Sequence, residues 1–407
     1  MESFTMFRIE IIGTDAPELS QKQRELLDGC AAVVASKRHK RMLGDSPLPA
    51  IPVAPIKEMV ERVQEQLKKG NVAVLASGDP LFYGIAKTML KYFSPEQLRI
   101  HPALSALQLA CARFKIPWDD LTLLSLHGRP ADGIAGRILG QPKVMLFTDT
   151  VNTPDRIASL LIDALHKAGD AQRVNTIRMR VAENLGLEDE QLHEGTLTQM
   201  SGQSFSPLNM VLIEQPVPEV PCGFGLTAAE IHHSRGLITK DEVRAASLHK
   251  LRLPKQGVLW DIGGGSGSVS LEAARLQPGL TVYTVEKKTE EQENIRSNIR
   301  TFNAHNIHLI CGEAPQALHG LPAPDRVFIG GSGSHLEAII RLAAEQLKPQ
   351  GRIIVNAVLK KTAQQAPAFL LNNGFQVETA LLAVSRTQYP QQQETVFNPI
   401  TIITGIL

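Results

Sequence analysis

Aromatic residues make up only 5% of the 407 positions, with two tryptophans, and cysteine is scarcer still. The four cysteines, Cys30, Cys111, Cys222 and Cys311, stand far apart and form no Cys-x-x-Cys pair. A disulfide framework and a thiolate zinc site are therefore not expected, no metal site is predicted, and a thiol-reduced, cytoplasmic protein is the economical reading. Net charge is nearly absent as well: 42 Lys+Arg against 41 Asp+Glu leave +1. Such a balance gives no electrostatic footprint for nucleic acid. No apolar run approaches a bilayer span, so no membrane contact is expected. Met1 to Arg8 carries Glu2 and leads straight into a strand, and no signal peptide is predicted.

What is present is an ordinary globular composition, 43% apolar and 20% charged, in a chain too long for one core. Two or three domains are expected. The most informative stretch is Leu259-Trp260-Asp261-Ile262-Gly263-Gly264-Gly265-Ser266-Gly267-Ser268. An apolar strand ends at Asp261, a glycine turn follows, and a helical pattern runs from Val269 to Leu276. Small residues there let backbone approach a ligand, and the helix start offers unpaired N–H groups. The next strand, Thr281 to Val285, ends in Glu286, nineteen residues beyond Gly267. An acid at that tip can accept hydrogen bonds from both ribose hydroxyls. Ser268 stands where a dinucleotide fingerprint has its third glycine, which favours S-adenosylmethionine over NAD. A glycine turn without a ligand is the remaining alternative.

In chain order, Arg8 to Ile12 reads as a strand leading to Gly13. A helix is predicted from Ser20 to Cys30, followed by a strand at 32–35. The basic run Ser36 to Arg41 reads as a solvated face. Lys57 to Lys69 is amphipathic, with Gly70 as its stop. Val72 to Ala76 is an apolar strand closed by Ser77-Gly78-Asp79-Pro80, a sharp loop where an open α/β sheet binds ligands. His101 to Phe114 is read as a helix, Lys143 to Phe147 as a strand, and Thr153-Pro154 as a helix start. Strands are predicted at 174–181, 196–200 and 209–213. Pro216 to Pro221 holds three prolines in six residues and marks a boundary. Beyond it, helix 239–250 precedes five parallel strands and a terminal antiparallel pair at 375–384 and 400–404. The expected units are 1–215, a connector at 216–222, and 223–407.

Together these motifs resemble the methyltransferases of cobalamin biosynthesis, over essentially the whole chain. In the second unit, Leu237 to Arg244, Asp261 to Ser268, Gly312 to Pro315 and Phe328 to Gly333 carry the resemblance. In the first, Leu75 to Gly84 is similar to the signature of tetrapyrrole (corrin and porphyrin) methylases. His127-Gly128-Arg129, Thr148-Asp149 and Glu183 to Gly186 agree with the branch that methylates C-5. The family's first loop is glycine-rich, whereas Gly13-Thr14-Asp15-Ala16-Pro17 has one glycine, and Ala103 stands where serine is common. The resemblance implies an α/β protein: a tetrapyrrole methylase of two α/β subdomains, followed by a class I Rossmann-like methyltransferase. It implies methylation of a precorrin or cobalt-precorrin at C-5 and C-15, decarboxylation of the ring C acetate, and self-association. It further implies one S-adenosylmethionine site per unit. The positions it assigns to that cofactor are Gly13, Gly78, Asp79, Phe82, Ser105 and Ala106 in the first unit. In the second they are Thr239, Asp261, Gly263, Gly264, Gly265, Ser266, Gly267, Glu286, Gly312, Glu313 and Ala314. Thr239 carries a competing expectation as a helix N-cap.

The sulfonium is an excellent leaving group, so such an enzyme chiefly positions a carbon nucleophile and excludes water. That accounts for glycine turns and a ribose acid in place of a nucleophile with a base. His232 and His233, on a helix, and His305 and His308, flanking a turn, are read as structural. A substrate rich in carboxylates calls for arginine clamps, and Arg38, Arg244 and Arg386 are the candidates. The alternatives are a methyltransferase for another small molecule or RNA, an NAD-linked dehydrogenase, and a non-catalytic S-adenosylmethionine sensor.

Overall fold

The computed structural model describes residues 7–128, 131, 133–217 and 223–407. Arg129, Cys222 and most of the proposed connector lie outside the described residues. The first sheet has the order β3-β2-β4-β1-β5 and is parallel throughout. Its strands are β1 (Ile9–Thr14), β2 (Cys30–Ala35), β3 (Ala50–Pro52), β4 (Asn71–Ser77) and β5 (Leu98–His101). The inner strands β1, β2 and β4 are almost wholly buried, as expected of a parallel sheet covered on both faces.

The second sheet, ordered β6-β7-β10-β8-β9, is mixed, with only β6 and β7 parallel. It comprises β6 (Thr122–Ser125), β7 (Lys143–Phe147), β8 (Arg178–Glu183), β9 (Gln191–Thr196) and β10 (Asn209–Glu214). The third, ordered β13-β12-β11-β14-β15-β19-β16, has five parallel strands and then an antiparallel pair. Here β11 is Gln256–Ile262, β12 Gly279–Glu286, β13 Ile307–Cys311, β14 Arg326–Ile329, β15 Arg352–Ala357, β16 Gln376–Leu382 and β19 Ile400–Ile406. Between the last two, β17 (Ser385–Gln388) and β18 (Gln393–Val396) form a separate ribbon. Trp260 is sealed in this sheet's core, its indole N–H donating to the Pro322 carbonyl (3.1 Å). No helix among the described residues is long and apolar enough to cross a membrane.

Several local expectations are corrected. Residues 98–101 form an edge strand, and the helix expected from His101 begins at Ala106, because Ser105 and Gln108 close a capping box there. The strand expected at 174–181 is a 3₁₀ turn (Ala171–Asn175) followed by β8. The strand expected at 196–200 is a helix, Leu197–Ser201, which Thr196 and Gln199 cap reciprocally. The run Ser36 to Arg41 is not simply a solvated face: it folds as helix Lys37–Met42, capped by the Ser36 hydroxyl, with His39 buried. His232 and His233 stand in an irregular segment, and His308 lies inside β13, its ring stacked on Tyr283 (5.2 Å).

Candidate functional site

Each half has a cavity that opens at strand ends beside the motifs singled out in the sequence. In the second half, the loops after β11 and β14 touch through their backbones. Gly263 sits at φ +70°, and a Cβ there would lie 2.4 Å from the Gly331 carbonyl oxygen. The Gly263 and Gly264 N–H groups both donate to the Val285 carbonyl (3.0 and 3.1 Å), tying the turn to β12. Gly265 also has positive φ, but a Cβ there would meet nothing within 4 Å, so this backbone faces open space. Gly267, again left-handed, starts helix Ser268–Leu276.

The resulting cavity, about 270 Å³, is lined by Gly263, Gly265, Glu286, Gly312, Glu313, Ala314, Leu237 and the Gly331–Gly333 turn. Glu286 is 7% exposed. Its carboxylate accepts from the N–H groups of Gly265 (2.8 Å), Lys287 (2.9 Å) and Lys288 (2.8 Å). That network holds the acid at the cavity wall and fastens the glycine turn to it. Lys287 pairs with Glu313 (2.7 Å) alongside. Glu291, buried on the first turn of helix Thr289–Thr301, also lines the cavity. It looked like one charge among many, and only the helix's docking on the sheet distinguishes it.

Other positions assigned to the cofactor from sequence stand outside the wall. Asp261 is 1% exposed and lies beneath the turn, where the Ser270 hydroxyl donates to it (2.5 Å). Burial pushes its pKa up to about 6. Ser266 is buried, with its carbonyl held by Asn298 Nδ2 (2.9 Å), and Gly264 packs on Thr284. These three shape the turn from behind. Thr239 is neither at the wall nor an N-cap. The helix starts at Asp241 behind Lys240, and the Thr239 carbonyl accepts from Arg244 (2.9 Å). Leu237 is the residue of that segment on the cavity wall.

The first half's cavity, about 460 Å³, lies between the first and second sheets. Arg38, Ser77, Ala106, His127, Asp149 and Asn184 are among its lining residues. Of the cofactor positions expected in this half only Ala106 is on the wall, and Gly13, Gly78, Asp79, Phe82 and Ser105 stand behind it. At Gly13 a Cβ would lie 2.3 Å from the Gly78 carbonyl oxygen and 2.8 Å from the Ala103 nitrogen. The Gly78 N–H donates to the Thr14 carbonyl (2.7 Å), and Asp79 closes its own turn on the Leu81 N–H (2.8 Å). Ser105 caps the next helix, and Phe82 packs edge-on against Phe147 (5.6 Å). Asp149 collects the N–H groups of Gly128, Val151 and Asn152, which hold its pKa down to about 2.

Of the three candidate arginines, only Arg38 reaches a cavity. Arg244 is 2% exposed and donates to the carbonyls of Leu226 and Thr239 and to Asp241, so it pins the segment entering the second half. Arg386 makes a bidentate pair with Glu242 (2.7 and 2.8 Å). Its fork is committed to the protein's own carboxylate.

His39 was not singled out by sequence, because a histidine inside a basic run carries no burial signal. Its Nε2 lies 3.2 Å from the Ser77 hydroxyl at the cavity wall, and its Nδ1 lies 3.1 Å from the Ser36 hydroxyl. Burial, with Arg38 adding to it, lowers its pKa from 6.5 to about 4. A depressed histidine contributes stability that is present above pH 6.5 and lost as pH falls toward 4. Denaturant titrations across that interval should show a loss on the order of 2–3 kcal/mol, and His39→Gln should flatten it. Parallel pH profiles for the two proteins would show that His39 contributes nothing.

Two family models match different parts of the chain. Residues 12–201 match the tetrapyrrole (corrin/porphyrin) methylases, and residues 230–394 match the precorrin methyltransferase domain. A Sinorhizobium protein named precorrin-6Y C(5,15)-methyltransferase (decarboxylating) is 36% identical over 291 residues, covering 70% of this chain and 68% of that protein. A Mycobacterium tuberculosis protein of the same name is 28% identical over 361 residues, 85% of this chain and 86% of that one. The crystal structure of precorrin-6Y C5,15-methyltransferase from Geobacter metallireducens GS-15 is 42% identical, with a TM-score of 0.45. It covers 46% of this chain and 98% of its own.

Proposed function

Because the chain belongs to the precorrin-6Y C5,15-methyltransferase (decarboxylating) family, it is a methyltransferase of cobalamin biosynthesis, and we propose that its two cavities are separate methyl-transfer sites. Residues 1–215 would methylate C-5 of the precorrin. Residues 223–407 would methylate C-15 and release the ring C acetate as CO₂, with 216–222 as the connector. The observation that supports this best is the pairing of two cavities with two family matches. Each lies where strands end; the second is bordered by glycines that admit close backbone approach, and the first is walled by Ser77 and Ala106, which adjoin loops that press on Gly13.

S-Adenosylmethionine, the methyl donor of the family, supplies an electrophilic methyl group on a sulfonium. The second cavity suits it: Glu286 presents a fixed carboxylate, and the Gly265 backbone faces open space where a ligand can lie against it. Gly312, Glu313 and Ala314 complete the wall opposite. These residues hold, orient and exclude water, and for a reaction with so good a leaving group that is the main requirement. Decarboxylation needs an electron sink, which the conjugated macrocycle brings with it. In the first cavity Arg38 is placed to meet a substrate carboxylate, with Ser77 and Asn184 as neutral partners.

Titration calorimetry of the full chain with S-adenosylmethionine should resolve two binding events. Glu286→Ala should weaken one of them by about 1.5–3 kcal/mol, the range for hydrogen bonds to a charged group. Two events of unchanged affinity in the variant would place the donor elsewhere than this cavity.

A further inference from the structure

The two halves meet along a seam that the methyl-transfer chemistry leaves unused. On one side are the end of helix Ile134–Leu139, the Ala168–Gly169 turn, Arg173 and Gln215. On the other are helix Thr289–Thr301 and the loop 303–306 that leads into β13. Arg173 stands at the centre, its side chain 14% exposed. Its Nη1 donates across the seam to Asn303 Oδ1 (2.7 Å) and His305 Nε2 (3.0 Å). Its Nη2 donates within its own half to Gln215 Oε1 (2.7 Å) and the Leu139 carbonyl (3.4 Å). Asn303 answers by donating its Nδ2 to that same carbonyl (2.6 Å). Farther along, Arg300 donates to the Ala168 carbonyl (3.2 Å), and Ala168 joins the apolar cluster of the second half.

Hydrogen bonding and shape both match across this boundary. Asp170 lies 3.7 Å from Arg173 and 4.0 Å from His305, which balances the buried guanidinium. Burial and the neighbouring Arg173 push the His305 pKa down to about 3, so the ring stays neutral and can accept at Nε2. At Gly136 a Cβ would lie 2.6 Å from the Asn306 nitrogen and 2.7 Å from its Cα, so the two backbones touch with no room for a side chain. Halves joined only by a tether would not share one largely buried guanidinium, whose acceptors here are split between them.

We propose that this seam is a specific docking surface whose partner is the other half itself, so that the two halves remain a complex when the chain between them is cut. The proposal rests on the division into two halves but not on which half methylates which carbon. The seam also defines what a half supplied in trans must carry: an Asn-x-His-Asn loop behind a helix that presents an arginine.

The test is a full chain with a protease site placed within residues 218–222, purified intact and then cut. Size-exclusion chromatography with light scattering, at micromolar concentration, should return one 1:1 species. Arg173→Met and Asn303→Ala, on opposite sides, should each weaken the association about 100-fold, as expected for breaking a buried hydrogen-bonded charge. Gly136→Val should separate the halves outright. Circular dichroism on the separated pieces distinguishes loss of docking from loss of fold, and the two milder variants stand if the valine variant does not fold. Cut wild-type protein that elutes as two pieces would overturn the proposal, as would seam variants that bind like wild type. Association is read without turnover, so a wrong assignment of C-5 and C-15 would leave this result unchanged.

Discussion

Gly263→Val should end C-15 methylation and CO₂ release together while C-5 methylation continues. The residue occupies a left-handed conformation at φ +70°, which a β-branched side chain does not adopt without strain. Its new Cβ would also fall 2.4 Å from the Gly331 carbonyl oxygen and 2.7 Å from the Gly331 Cα. Both contacts are backbone, so neither can swing aside. The loops after β11 and β14 would be forced apart, and both line the cavity beside Glu286. A displacement near 1 Å at such a site costs about 100-fold in rate, and at least that loss is expected. Incubation with precorrin-6B and labelled S-adenosylmethionine, followed by mass measurement of the product, reads both outcomes at once. A variant that folds and still releases CO₂ at the wild-type rate would show that decarboxylation happens elsewhere.

Gly13→Val should do the converse, stopping the product one methyl group short with CO₂ release intact. Here the backbone is ordinary strand, and the constraint is space alone. A Cβ would lie 2.3 Å from the Gly78 carbonyl oxygen, 2.8 Å from the Ala103 nitrogen and 3.1 Å from the His101 carbonyl oxygen. Three strand-end loops converge on that point, and prying them apart would displace Ser77 and Ala106, which line the first cavity. The loss at C-5 is expected to reach at least about 100-fold by the same positional argument. If either glycine variant abolished both methylations, a single site performing both transfers would replace the two-site reading.

Much of this was legible before any coordinates. Apolar runs such as Val258 to Trp260 and Val72 to Ala76 could only be buried strands, and both are. The glycine turn and Glu286 could be placed at one site from spacing alone, because a βαβ unit returns the second strand tip beside the first. The failures were of two kinds. Gln191–Thr196 is a polar edge strand, which lacks the alternation that marks a half-buried one. Thr196 to Met200 reads equally as strand or helix, and a reciprocal cap decided it. Arg244 looked like a clamp for an acidic substrate. An arginine's role depends on what its fork meets, and this one meets the chain's own carbonyls.

The sequence by itself determined most of the buried strands and amphipathic helices, the glycine turns and the acid at the strand tip, because each follows from local sterics and the periodicity of burial. Only the tertiary structure decided what the polar residues do. It turned Asp261 under the loop, sank His39 behind Ser77, and paired Arg386 with Glu242. It also brought Arg173 to Asn303 and His305, 130 and 132 residues away. A hydrogen bond is directional and short, so its partner is set by three-dimensional proximity that no local pattern encodes. Several such bonds cross the seam between the halves.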